Sequence, residues 1–230
     1  MAGKYKGILL KLLMTLIVFG FCFLWSEKEV FLREYPSQPV LILDAGHGGE
    51  DGGAVSCTGE KESTINLAMV LRMDQILGFL GETPLVLREE DVSLHDPQSE
   101  TLREKKVSDL KNRVEAVNAN PNATLISIHQ NSYPDSRYRG AQVFYAPTEG
   151  SAELAAAIQT EVCQLLQPDN TRQAKEIPEA VYLMNHIRNR AVLIECGFLT
   201  NPEEETMLRQ PAYQRKLALV LSNALMTETH

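Results

Sequence analysis

Three short stretches of the chain each carry a potential metal ligand or proton-transfer group at the end of an apolar run: Val40-Leu-Ile-Leu-Asp-Ala-Gly-His47, Thr124-Leu-Ile-Ser-Ile-His129 and Ala191-Val-Leu-Ile-Glu195. Short apolar runs without alternation are the pattern of strands buried on both faces. Open α/β sheets build their sites just beyond the carboxyl ends of their strands. The three stretches therefore point to one sheet and one shared site.

The rest of the chain supplies the partners such a sheet needs. Strands are expected at 40–44, 84–88, 124–128, 141–145 and 191–194, and helices at 63–79, 101–118, 151–166 and 211–226. Apolar strands between amphipathic helices predict an α/β fold: a single domain over 39–230 with a twisted mixed, largely parallel sheet flanked by helices. A chain of 230 residues suits one such domain with an appendage, not two domains.

The appendage is N-terminal. Residues 7–25 read GILLKLLMTLIVFGFCFLW, about the length that crosses a bilayer core, with Lys4 and Lys6 before them and Glu27 and Glu29 after. That charge order predicts a cytoplasmic N-terminus (1–6), a transmembrane anchor or signal segment (7–25), a linker (26–38) and an extracytoplasmic domain. No small-x-small cleavage site follows the apolar run, which favours an anchor over a secreted product. Phe21 before Cys22 disfavours lipoprotein processing. Cys57, Cys163 and Cys196 are widely spaced and odd in number, so one disulfide is allowed and none is required. A net charge of -8 excludes a nucleic-acid binder held by phosphate contacts.

Chemistry concentrates in a few loops. The Gly46-His-Gly-Gly49-Glu-Asp-Gly-Gly53 turn lacks the ending of a P-loop and the spacing of a dinucleotide fold, and its His47 suits a metal. His129, after a nearly all-apolar strand, is a second imidazole for the same site. Two histidines and a carboxylate make a common open zinc set. Glu50, Asp51, Glu60 and Glu62 are the carboxylate candidates, and spacing does not choose between Glu60 and Glu62, either of which could serve the dipole of the following helix. Cys57 is read as a small loop residue, because no second cysteine stands at ligand spacing. Glu195, directly after a buried run, is costly to place without a function and suits proton transfer beside a metal.

These residues lie in segments that resemble a known family. Leu43-Asp-Ala-Gly-His-Gly-Gly-Glu-Asp-Gly-Gly-Ala54, Lys61-Glu-Ser-Thr-Ile-Asn-Leu67, Ser127-Ile-His-Gln-Asn131 and Leu193-Ile-Glu-Cys-Gly-Phe-Leu-Thr-Asn-Pro-Glu203 resemble, in order, the motifs of zinc-dependent N-acetylmuramoyl-L-alanine amidases. The resemblance implies hydrolysis of the amide between the muramoyl lactyl group and L-alanine of the peptidoglycan stem, with Zn2+ bound by His47, Glu62 and His129 and with Glu195 as catalytic acid/base. It selects Glu62 over Glu60 by its place four residues before Asn66. It also implies structural roles for Arg88 and Arg113.

Lys105-Lys-Val-Ser-Asp-Leu-Lys-Asn-Arg113, Gly140-Ala-Gln-Val-Phe-Tyr145 and the N-terminal span narrow the likeness to the membrane-anchored, germination-specific amidases of spore cortex. That likeness implies action in the forespore intermembrane space and a partner deacetylase that completes muramic lactam; separately, a site assembled from loops leaves open an activating protein partner that helps hold zinc. Arg190 departs from the pattern, which often has Pro there, so the shape of the loop before that strand is open. Two other readings use the same residues: a non-catalytic peptidoglycan-binding or regulatory module, and a zinc peptidase acting on stem cross-links.

Overall fold

The computed structural model describes residues 40–229. The expected N-terminus (1–6), apolar segment (7–25) and linker (26–38) lie outside the described residues. Among the described residues, no helix is long and apolar enough to cross a membrane.

Strand β1 (Val40–Ala45) leads through the glycine turn into helix α1 (Glu62–Phe79), followed by β2 (Leu85–Val86) and α2 (Leu102–Asn118). Thr101 opens α2 with a reciprocal capping box: its side chain accepts from the Glu104 N–H, and the Glu104 carboxylate accepts from the Thr101 N–H. Then come β3 (Ala123–Asn131), β4 (Gln142–Tyr145), α3 (Ser151–Leu165), β5 (Lys175–Glu176), the short α4 (Tyr182–His186), β6 (Arg190–Phe198), α5 (Pro202–Leu208) and α6 (Pro211–Thr229). Asn201 caps α5, accepting from the N–H groups of Glu203 and Glu204, with Pro202 at the first turn, where its missing N–H costs nothing.

The six strands form one sheet in the order β2-β1-β3-β6-β4-β5. Strands β2, β1, β3 and β6 run parallel, and β4 and β5 run against them. This is the single mixed, largely parallel sheet expected. Because side chains alternate along a strand, each strand feeds two cores. Leu43, Ile126, Ile128, Val192 and Ile194 join residues of α1, α3 and α6 on one face. Ile42, Leu125, Ala191 and Leu193 join Val117 of α2 and Leu183 and Met184 of α4 on the other.

The structure departs from expectation in three ways. The 84–88 strand shortens to Leu85–Val86, an edge strand, because Arg88 turns inward to hold backbone carbonyls of the β1 turn. Strands β3 and β6 run past 128 and 194 to Asn131 and Phe198, so His129 and Glu195 lie within strands, opposite one another in register. A register shift between His129 and Asn131 follows directly, the kind of irregularity that re-aims a side chain beside a site. Finally, β5, α4 and α5 are too short to carry a hydrophobic period. Cys57, Cys163 and Cys196 are all free, exposed, half-buried and buried respectively.

Candidate active site

Each member of the site is delivered by a different element. His47 follows β1 in the glycine turn, Glu62 is the first residue of α1, and His129 stands near the end of β3. Their donor atoms lie within 4.8 Å of one another, a group able to hold a metal ion. The imidazoles of His47 and His129 stand nearly perpendicular, with ring centres 5.1 Å apart. Glu50, Asp51, Glu60 and Cys57 do not belong to this group. Glu50 is exposed and pairs with Lys105 at 2.6 Å.

The backbone is shaped to this cluster. His47 itself adopts φ +62, a left-handed conformation that side-chain-bearing residues rarely accept. A Cβ on Gly46 would land on the His129 ring, and one on Gly53, at φ +68, would sit 2.5 Å from Glu62 Oε2 and 2.6 Å from His47 Cδ2. Only glycine fits beside the three donors.

Glu62 is held by five groups. Its Oε1 accepts from Asn66 Nδ2 at 3.2 Å and from the Gln130 N–H at 3.1 Å, and lies 2.9 Å from His129 Nδ1. Its Oε2 accepts from the Ala54 N–H at 2.9 Å and lies 3.3 Å from His47 Nε2. Burial works against its charge, but His129 and His47 outweigh burial and hold the carboxyl far below the usual range. Burial also opposes charge on His47, yet its hydrogen bonds to Asp51 and Glu62 prevail and push it up to about 9. Two imidazoles set against a buried carboxylate fit a cation site: the negative charge and nitrogen donors are present, and the glycines leave room.

Around the donors stands a second set of residues. Asp51 Oδ2 lies 3.0 Å from His47 Nδ1, and its Oδ1 pairs with Lys106 Nζ at 2.8 Å. A carboxylate on the far nitrogen of a histidine fixes the ring's orientation. Arg88 Nε donates to the Ala45 carbonyl at 2.8 Å and its Nη2 to those of Gly46 and Ser63. Arg113 donates to the carbonyls of Ala45 and His47, at 3.0 and 2.8 Å, while pairing with buried Asp44 and with Asp109. The two arginines thus lock the turn rather than face the site. Sequence reasoning weighed Asp51 only as a ligand, used Asn66 only as the motif position that marks Glu62, and gave Gln130 no role. Helical spacing offered the signal for Asn66, four residues after Glu62.

Glu195 lies across the β3–β6 ladder from His129. Its Oε2 is buried without a hydrogen-bond partner. Burial pushes the carboxyl up to about 7, opposed by His129 and His47 and reinforced by the Glu62 charge. An acid held near neutrality beside a candidate metal site can both accept and return a proton. A groove of about 320 Å3 opens at the candidate ligands, with His47, His129, Asp51, Lys106, Val181 and Leu193 among the residues that line it.

Comparison with known proteins adds the family. The N-acetylmuramoyl-L-alanine amidase family model matches residues 41–227. The chain belongs to this amidase family. A germination-specific N-acetylmuramoyl-L-alanine amidase of Bacillus subtilis (strain 168) is 35% identical over 94% of this chain and 90% of its own. The amidase AmiA of Escherichia coli (strain K12) is 25% identical over 83% of this chain and 76% of its own. Among solved structures, the CwlD amidase from Clostridioides difficile in complex with the GerS lipoprotein superposes with a TM-score of 0.79 at 35% identity, covering 83% of this chain and 98% of that one. The amidase is therefore an N-acetylmuramoyl-L-alanine amidase acting on peptidoglycan, as its motifs indicated.

Proposed function

We propose that the amidase hydrolyses the bond between the muramoyl lactyl group and L-alanine with zinc held by His47, Glu62 and His129 and with Glu195 moving the proton. The observation that carries this reading is the convergence of three donors within 4.8 Å beside a carboxyl whose buried oxygen has no partner. When bound, zinc supplies Lewis acidity toward the scissile carbonyl and the attacking water. Glu195 accepts the proton of that water as the carbonyl carbon is attacked. It then returns the proton to the departing L-alanine nitrogen, and a carboxyl near 7 is matched to both transfers. Asp51, Asn66 and Gln130 keep the donors aligned.

Glu195→Gln tests the assignment. It keeps the side chain's shape but removes the base, so release of stem peptide from muropeptide is expected to fall about a thousandfold. Zinc content should not change. A variant that cleaves at the wild-type rate removes Glu195 from the mechanism.

The same reading extends to the setting. The similarity to a germination-specific amidase supports action on spore cortex, where loss of the stem lets a deacetylase complete muramic lactam. The apolar 7–25 segment supports an extracytoplasmic domain tethered through the 26–38 linker. The complex of the Clostridioides difficile relative with a lipoprotein supports an exported lipoprotein as activating partner. Muropeptide profiles of spores lacking the chain test the first point, since muramic lactam should disappear from the cortex.

A further inference from the structure

Helix α2 presents one stripe of side chains to the groove at the candidate ligands. Lys106, Asp109, Leu110 and Arg113 line it together with His47 and His129. Spacings of three and four residues put the four on one helix face. Exposure falls along that stripe: the side chain of Lys106 is 47% exposed, that of Asp109 12% and that of Arg113 2%. Lys106 therefore stands at the mouth of the groove and Arg113 at its base.

The two cations of the lining differ in what they have left to offer. Arg113 spends Nε, Nη1 and Nη2 on Asp109, Asp44 and the carbonyls of Ala45 and His47. Lys106 Nζ meets one ionic partner among the described residues, Asp51 Oδ1 at 2.8 Å. That carboxylate is itself shared, because its Oδ2 lies 3.0 Å from His47 Nδ1 and its Oδ1 accepts from the Gly53 N–H at 3.3 Å. An ammonium carries three N–H donors, and a partner whose charge is divided among several groups answers it only in part. Lys105, its neighbour in the chain, is turned to Glu50 and lies outside this lining.

We propose that Lys106 binds the first free carboxylate of the peptide stem beyond the scissile amide. The inference rests on the reading that places that amide at His47, Glu62 and His129. A substrate held there enters the groove that His47, His129 and Lys106 line in common. The kind of group it presents follows from charge. The lactyl carboxyl of the sugar is consumed in the amide, so the free carboxylates of the substrate lie in the stem. The Asp51 carboxylate links the ammonium to the His47 ring, with contacts of 2.8 and 3.0 Å on its two sides. Roughly two residues of extended peptide, at about 3.3 Å each, cover that interval. Lys106 thus selects an acidic stem close to the bond that is cut.

The test compares muramoyl-peptides whose first carboxylate beyond L-alanine is free or amidated, using the zinc-loaded full chain and its Lys106→Gln, Lys106→Arg and Lys105→Gln variants. Wild type is expected to prefer the free acid by about fivefold in kcat/KM, carried by KM, the scale of one partly exposed ion pair. Lys106→Gln keeps a donor for Asp51 but no charge. It should raise KM for the free acid about fivefold and leave kcat, zinc content and the amidated substrate unchanged, while Lys106→Arg and Lys105→Gln keep the preference. Equal wild-type rates on both substrates overturn the proposal. So does a loss in Lys106→Gln that is the same for both substrates or is explained by lost zinc, either of which assigns Lys106 to the support of Asp51. Should Lys106→Gln not fold, the wild-type comparison and Lys106→Arg still decide. A Glu195→Gln chain that cleaves at the wild-type rate instead refutes the placement of the scissile amide, a different result.

Discussion

His47 carries the cost of the site in its own backbone. Its φ of +62 is unfavourable for a side-chain-bearing residue, and Arg113 on its carbonyl and Asp51 on its ring hold it there. Asp51 is thus a positioning residue, and its charge also meets Lys106. Asp51→Ala is expected to weaken zinc binding about 10- to 100-fold in chelator competition, with Asp51→Asn intermediate because it keeps a hydrogen bond but not the charge. Glu50→Gln, at an exposed residue paired with Lys105, should leave zinc affinity unchanged. An Asp51→Ala chain with wild-type zinc affinity would mean that the turn alone orients His47. Gly53→Ala should lose zinc more completely, since its Cβ would press on both Glu62 and His47.

Between elements, the decisive tie is the buried pair of Asp44 on β1 and Arg113 on α2. Asp44 is fully buried, which raises a carboxyl, but Arg113 and the Ser127 hydroxyl outweigh burial and hold it below its usual 3.8. A depressed carboxyl contributes stability that is present above the unfolded-state value and is lost as pH falls through the folded one. Asp44→Asn should therefore cost about 3 kcal/mol at neutral pH by leaving Arg113 under-paired. In urea titrations the gap from wild type should narrow on acidification to about pH 3 and below; a gap that is constant with pH would assign the effect to packing. The long elements were legible because each carries a full hydrophobic period: α1, α2, α3 and α6 fall within a few residues of expectation. Strand ends were not legible. Nothing in Cys196-Gly197-Phe198 says that pairing with β3 continues, because that depends on where Asn131 lies.

At the scale of the molecule, the candidate ligands tie the β1 turn, the start of α1 and the end of β3 into one unit. A metal that binds only this folded arrangement raises stability by mass action. Chelator treatment should lower the melting temperature by several degrees and stoichiometric zinc should restore it. His129→Ala should abolish that zinc-dependent shift, and a shift that survives in this variant would place the stabilising metal elsewhere. The sequence by itself determined the α/β class and the family, and it named the residues of the candidate site, because apolar periodicity and ordered motifs are written along the chain. It also named Glu62, although there the resemblance spoke where spacing was silent. Only the tertiary structure decided that Glu195 lies inside a strand opposite His129, and that Asp51 and two arginines lock the turn. Those relations join residues far apart in the chain through strand register and side-chain direction, which local sequence does not encode.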